Sequence, residues 1–344
     1  MSTTPPARVA DLIFGKWKSR ILYAGVRLGI IEALQPGAKS AAAVASELAL
    51  DPAMAYRLLR AMASMGLLAE RQNLVFELTP EGKTLLATHP QSLRAVALLQ
   101  EGPEHSAIWK HLPNIVREGL PHGFEREFGH SAFEHTNQNA EYGRLFDAAM
   151  NSYSASQTQP IVEALNDFDF SRINTVCDIG GGYGYLLCGL LQAHPHLSGI
   201  VLERPDMLAT AELLEATRLG LQARCRYISG DMFESVPTAD LYLLKLILHD
   251  WADRDALRIL VSARKAAPAG GRIFVIEHVV PGPETPHFAK LYDVHMMCWG
   301  PGRERTAPEY ARLLEEAGWS YAGMRPVAGG LMGLVEGQST TGSR

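Results

Sequence analysis

Apolar residues recur at three- and four-residue steps from the start of the chain. Ile13, Trp17, Ile21, Ala24 and Leu28 share one helical face, and Ile31 and Leu34 carry the pattern toward Pro36-Gly37. Ser40 is placed to cap a short helix reaching Leu48. A second helix starts at Asp51-Pro52, carries Tyr56, Leu59 and Met62 on one side, and stops at Met65 ahead of Gly66. Leu67-Leu68, then Val75, Phe76 and Leu78, make two short strands around Arg71-Gln72-Asn73. Two helices followed by a hairpin spell a winged helix-turn-helix. Residues 80–160 stay helical, with breaks at Pro90, Gly102-Pro103, 119–123 and Gly129. Within them 142–156 is amphipathic, with Phe146, Ala149, Met150 and Tyr153 on one side, and is expected to join the two halves. From residue 160 strand and helix patterns alternate. Strands are expected at 175–179, 199–203, 225–228, 240–245 and 272–277, with helical periodicity over stretches such as 207–218 and 254–266. That alternation predicts a doubly wound parallel sheet. Runs 319–326 and 331–336, joined by Gly329-Gly330, predict a hairpin at the sheet edge, and the polar tail after Gly337 a frayed end.

Composition narrows the functions open to this frame. At 344 residues and 47% apolar content the chain has room for two domains and a real core. A net charge of −5 disfavours a broad nucleic-acid or anionic-membrane surface. The would-be recognition helix offers only Arg57 and Arg60 as cations, behind a first turn of Asp51-Pro52-Ala53-Met54. No nucleic-acid partner is expected, and the apolar first helix reads instead as a dimerisation surface. No apolar run approaches the ~20 residues of a membrane span and no secretory leader is visible, so a cytoplasmic protein without membrane contact is expected. Cys177, Cys188, Cys225 and Cys298 lack metal-ligand spacing, and no metal is expected.

The run at 176–184, Val-Cys-Asp-Ile-Gly-Gly-Gly-Tyr-Gly, joins an expected strand to an expected apolar helix. Glycines there let a ligand approach the backbone closely, because no Cβ intervenes. A dinucleotide fingerprint needs glycine at its first, third and sixth positions; counted from Gly180 the sixth is Tyr185, and from Gly182 it is Leu187. The pattern that remains, an acid ahead of Gly180, Gly182 and Gly184, resembles the first motif of class I S-adenosylmethionine-dependent methyltransferases. Asp178 suits the amino and sulfonium end of that cofactor, which has no pyrophosphate to cradle. Glu203, ending the second strand, is placed to accept both hydrogen bonds of a ribose diol. Asp231 is placed to accept from the adenine amino group, with Met232 and Phe233 packing the base.

After the fourth strand stands Leu244-Lys245-Leu246-Ile247-Leu248-His249-Asp250-Trp251. Together with Glu277 in Val-Ile-Glu-His-Val-Val-Pro and Glu304 in Gly-Arg-Glu-Arg-Thr, it resembles the catalytic motif of the plant-type small-molecule O-methyltransferases. The bacterial branch with phenazine and anthracycline enzymes is nearest, on Trp-Lys-Ser-Arg at 17–20 and Asp-Val-His at 293–295. The resemblance covers nearly the whole chain. It implies a Rossmann-like seven-stranded methyltransferase sheet with an N-terminal winged-helix dimerisation domain that does not bind DNA. The expected division is 1–100 for that domain, 101–160 for a helical linker lining the acceptor site, and 161–344 for the catalytic domain.

By the same resemblance the protein is a homodimer and an O-methyltransferase. His249 is its general base, and one of Glu277 and Glu304 orients the imidazole. Lys245, Asp250, Trp251 and Ser154 serve the cofactor; Phe146, Met150 and Met296 face the acceptor. Two positions depart from the plant pattern: Trp299-Gly300 replaces a small polar pair, and Tyr153 replaces a linker-helix histidine. With Trp109, Phe124 and Phe146 they suit a flat polycyclic phenol, such as a hydroxyphenazine. Two other readings remain open at this point. One is methylation of a heteroaromatic ring nitrogen, which needs no base; the other is a winged-helix regulator with a vestigial catalytic domain.

Overall fold

The computed structural model describes residues 4–339 except 121 and 206–213. The chain divides into two compact units, one of residues 1–107 and 133–156, the other of 108–132 and 157–344. The stretch 101–160, expected as one linker, is thus shared between them.

In the first unit the opening periodicity becomes three helices: α1 (Pro5–Ile13), α2 (Gly15–Arg27) and α3 (Ile30–Ala33). Phe14 and Gly29 interrupt what the spacing alone suggests is continuous. Strand β1 (Lys39–Ser40) leads into α4 (Ala41–Glu47), with the Ser40 hydroxyl accepting from Ala43 N at 3.2 Å. Asp51 caps α5 (Pro52–Ser64) in the same way, accepting from Met54 N at 2.9 Å. Antiparallel β2 (Leu68–Arg71) and β3 (Val75–Leu78) complete a small sheet in the order β1-β3-β2. The helical faces and the hairpin bury one core of Val26, Ile30, Ile31, Val44, Leu59, Met62 and Phe76. This is the winged helix expected from the sequence, with β1 as a two-residue strand that a lone Lys-Ser pair does not announce. Leu12, Ile13 and Trp17 stay 80%, 65% and 63% exposed, a contiguous apolar surface on the first two helices. The 142–156 stretch lies within one long helix, Ala140–Ala164.

The second unit is built on seven strands: β4 (Thr175–Ile179), β5 (Ser198–Glu203), β6 (Cys225–Ser229), β7 (Leu241–Lys245), β8 (Arg272–Glu277), β9 (Trp319–Pro326) and β10 (Gly333–Ser339). Their order is β6-β5-β4-β7-β8-β10-β9. The first five are parallel, and β10 runs antiparallel between β8 and β9. The near-continuous apolar runs of β4 and β7 are those of strands covered on both faces. Val176 packs into one core layer, Cys177 and Tyr242 into the other. The expected helix over 207–218 lies largely outside the described residues; Glu215–Leu219 is helical. The tail is ordered further than its polarity predicts: Gln338 and Ser339 pair with Ser320 and Trp319. Among the described residues no helix is long and apolar enough to cross a membrane. Strand order reverses between β4 and β7, the place where open sheets of this kind hold ligands in a crevice at the carboxyl ends of the strands.

Candidate active site

Glycine is required where β4 ends. Gly180, Gly182 and Gly184 have φ of +67°, +57° and +84°, a left-handed backbone that costs other residues about 1–2 kcal/mol. A Cβ on Gly180 would stand 2.5 Å from Ile247 Cδ1, and one on Gly181 2.6 Å from the Asp178 carboxylate. The turn therefore lies directly on the residues that follow β7. Its position is fixed from the far side by Tyr183, whose carbonyl accepts from Tyr227 Oη at 2.8 Å and from Glu215 N at 2.9 Å.

The charged groups expected around this turn are where their strand ends place them. Asp178 is 2% exposed, and its Oδ1 is buried without a hydrogen bond. Burial raises its carboxyl to about 7, with Lys245 opposing and Glu203 adding. A buried carboxylate oxygen lacking a donor, beside a backbone opened by glycine, fits the cationic end of a sulfonium amino acid. Glu203 accepts from Gly182 N at 3.0 Å and from Arg204 N at 2.8 Å, bracing the turn from β5. Lys245 reaches Gln157 Oε1 at 3.1 Å, and burial lowers it to about 8. Asp231 lies exposed after β6 and accepts from Phe233 N at 2.8 Å. Phe233 meets Trp251 edge-on, ring centres 4.8 Å apart, and with half-buried Met232 they form an apolar wall.

Beyond β7 the chain turns sharply. Leu246 takes a left-handed φ of +53°, rare for a branched apolar residue, and delivers the turn Leu248–Asp250 into the crevice. His249 is 5% exposed. Its Nδ1 lies 2.7 Å from Glu304 Oε1 and 3.7 Å from Glu277 Oε2; its Nε2 lies 3.6 Å from Asp250 Oδ1. The two glutamates divide the work. Glu304 contacts the imidazole, while Glu277 Oε1 accepts from Ile247 N at 3.1 Å and Leu248 N at 2.9 Å, holding the turn that carries it. Burial raises Glu277 to about 7, and burial followed by Asp293 raises Glu304 to about 9. Burial thus disfavours the charged form of both carboxyls, and positive charge on the imidazole opposes this at Glu277. Burial likewise raises Asp250 to about 7.

Three residues here were given no role from sequence, although His295 closes the Asp-Val-His segment and Arg305 stands in the Gly-Arg-Glu-Arg-Thr segment. Tyr292 stacks on His249, ring centres 5.9 Å apart and 17° from parallel. His295, buried and lowered to about 4 by burial and then by His249, stacks on Trp109 at 6.0 Å. Tyr292, His295 and the buried Met296 and Trp299 share the helix Phe288–Trp299, and Trp299 meets Phe124 edge-on at 6.5 Å. The available signal was polar aromatics three residues apart in an otherwise apolar helix. The third is Arg305, 0% exposed, whose guanidinium donates to Leu248 O at 2.8 Å and Trp251 O at 2.7 Å, straddling His249. Phe146, Met150, Tyr153 and Ser154 are half-buried on the helix Ala140–Ala164, in the other unit.

Residues 109–320 match the family description of an O-methyltransferase domain, and 10–88 that of an O-methyltransferase dimerisation domain. A phenazine O-methyltransferase of Lysobacter antibioticus is 34% identical over 93% of each chain. A mitomycin biosynthesis 6-O-methyltransferase of Streptomyces lavendulae is 34% identical over 95% of this chain and 93% of its own. The crystal structure of human N-acetylserotonin methyltransferase in complex with S-adenosylmethionine superposes with a TM-score of 0.87, at 26% identity, covering 99% of this chain and 100% of that one.

Proposed function

Since the chain belongs to the S-adenosylmethionine-dependent O-methyltransferases of the bacterial natural-product type, we propose that it methylates a phenolic hydroxyl of a polycyclic aromatic compound, with His249 as general base. The observation that carries the reading is the buried imidazole on Glu304, in the turn after β7 whose Ile247 lies against Gly180. With Glu304 accepting at Nδ1, the ring's proton sits there and Nε2 keeps a lone pair for the phenolic proton. A phenol near pKa 10 and an imidazole near 6.5 are mismatched in water, so removal of the proton is concerted with attack. When bound, the cofactor supplies an electrophilic sulfonium methyl group, whose C–S electron pair returns to sulfur as the new C–O bond forms. Glu304 and Asp250 then flank the imidazolium, one at each nitrogen.

The flat walls offered by Tyr292, His295, Trp109 and Trp299 support a fused-ring acceptor such as a hydroxyphenazine. Phe146, Met150 and Tyr153 belong to the same reading as acceptor residues of the linker helix, and Ser154 as a cofactor residue. The homodimer is supported by the matched dimerisation segment and the exposed Leu12, Ile13 and Trp17. An acceptor panel tests the substrate class: hydroxylated tricyclics are expected to exceed simple catechols in kcat/KM, and the reverse order would sink the assignment.

Asp178 gives a separate, pH-resolved expectation. Held up at about 7 by burial, with Lys245 and Glu203 as its charged neighbours, it gains a proton as pH falls and stops attracting a cation. Affinity for S-adenosylhomocysteine, whose ammonium group remains, should weaken below about pH 7, by up to tenfold per unit. Asp178→Asn should bind about 10–10²-fold more weakly at about pH 8, having lost a charge-assisted bond, and show little of that pH dependence. Calorimetric titration across this range checks both; a flat profile in the unmodified enzyme would refute the assignment of Asp178 to the cofactor's cationic end.

A further inference from the structure

Glu277 and Glu304 each keep one oxygen, Oε2, buried and without a hydrogen bond, although the residues are 0% and 3% exposed. Such atoms are costly unless something positive meets them. Glu277 Oε2 points at the imidazole from 3.7 Å, and Glu304 Oε1 stands 2.7 Å from the same nitrogen. One donor atom from each of His249, Glu277 and Glu304 lies within 4.8 Å of the others. Metal–ligand bonds of about 2.0–2.2 Å set tetrahedral donor atoms about 3.3 Å apart, so the two measured separations straddle the required value. Glu277 is also held in place by the two backbone donors on its Oε1, the kind of outer support that ligating carboxylates have.

We propose that His249, Glu277 and Glu304 form an inhibitory site for a divalent transition-metal ion, ligated by His249 Nδ1 and one oxygen of each glutamate. One imidazole and two carboxylates suit borderline ions such as zinc or cobalt, and two negative charges match a dication. Metal at Nδ1 requires that nitrogen's proton to move, by exchange with solvent, to Nε2, while any proton shared by the carboxyls passes to solvent. The neutral ring then keeps its one remaining proton on Nε2. That nitrogen has no lone pair to offer a phenol, so the ion stops proton removal while leaving the glycine turn untouched. The inhibition rests on His249 being the base; the binding does not.

Zinc and cobalt titrations of the full-length enzyme test the site. One zinc per protomer is expected, with affinity at least about tenfold weaker in Glu277→Gln and in Glu304→Gln. Methyl transfer should fall in step with occupancy and return with EDTA, while S-adenosylhomocysteine affinity stays within about twofold. Cobalt in the unmodified protein should give the strong visible bands of a four-coordinate nitrogen–oxygen site, a readout that needs no variant. Failure to bind, binding unchanged in both variants, or weak six-coordinate bands would overturn the site. Zinc held with the expected dependence while transfer continues would uphold the site and refute the base assignment instead.

Discussion

Replacing His249 by alanine lowers the rate of phenol methylation by about 10²–10⁴-fold, which is the range general base catalysis supplies. In energy that is about 3–5 kcal/mol of lost transition-state stabilisation. The loss should appear in kcat, because His249 faces Glu304 and Asp250, apart from the glycine turn proposed to hold the donor. S-adenosylhomocysteine affinity should stay within about twofold, showing that the cofactor crevice is intact. Acceptor acidity adds an internal control. A phenol already ionised at the assay pH has no proton to give, so its methylation should lose much less in His249→Ala than that of an ordinary phenol. Glu304→Gln should lose less than His249→Ala, because the amide oxygen still accepts from Nδ1 while its charge no longer balances the imidazolium. Near-normal rates in His249→Ala with ordinary phenols would point to a ring-nitrogen acceptor, which attacks without a base.

The crevice was legible in the sequence wherever a backbone requirement writes itself into residue type. Left-handed φ at Gly180, Gly182 and Gly184 demands glycine, and parallel strands buried on both faces demand unbroken apolar runs, so β4 and β8 fall where those runs lie. The family motif then carried Asp178, Glu203, His249, Glu277 and Glu304 to strand ends or to the loops beside them. What stayed hidden depends on which way a side chain points. Neither type nor spacing tells that Glu304 rather than Glu277 contacts Nδ1, since both are glutamates and the distinction is an ångström of approach. Tyr292 was lost in a helix apolar on most of its surface, and His295 was visible there only as part of the Asp-Val-His segment, with no direction for its ring. Arg305 was lost for the opposite reason: an arginine among Arg303, Glu304 and Thr306 reads as a solvated turn, yet it is fully buried.

That burial makes Arg305→Met the other substitution with a large effect. The guanidinium donates to Leu248 O and Trp251 O, and its Nε to Asp253 Oδ1 at 3.0 Å. Asp253 keeps Arg303 and Arg312 as partners, so the loss falls on the two carbonyls. Leu248 O keeps Trp251 N as a partner at 3.3 Å, so what is lost is two hydrogen bonds from a charged donor, about 1.5–2.5 kcal/mol each and about 3–5 kcal/mol together. At about 2–4 °C per kcal/mol for a domain of this size, the apparent midpoint of thermal unfolding should fall by about 6–20 °C. The chemistry should suffer even where the protein stays folded. The two carbonyls bracket His249, and Gly302 lies so close to His249 O and the Asp250 backbone that no Cβ fits between them. Release of this clamp lets the imidazole drift, and a displacement of about 1 Å can cost on the order of 10² in rate. Arg305→Lys keeps the charge but not the planar fork, and should recover part of the stability without restoring kcat. Thermal unfolding, followed by kcat measured well below the shifted midpoint, separates the two effects. A variant that unfolds early yet turns over normally while folded would show that Arg305 supports the core and leaves His249 to be positioned by the glutamates alone.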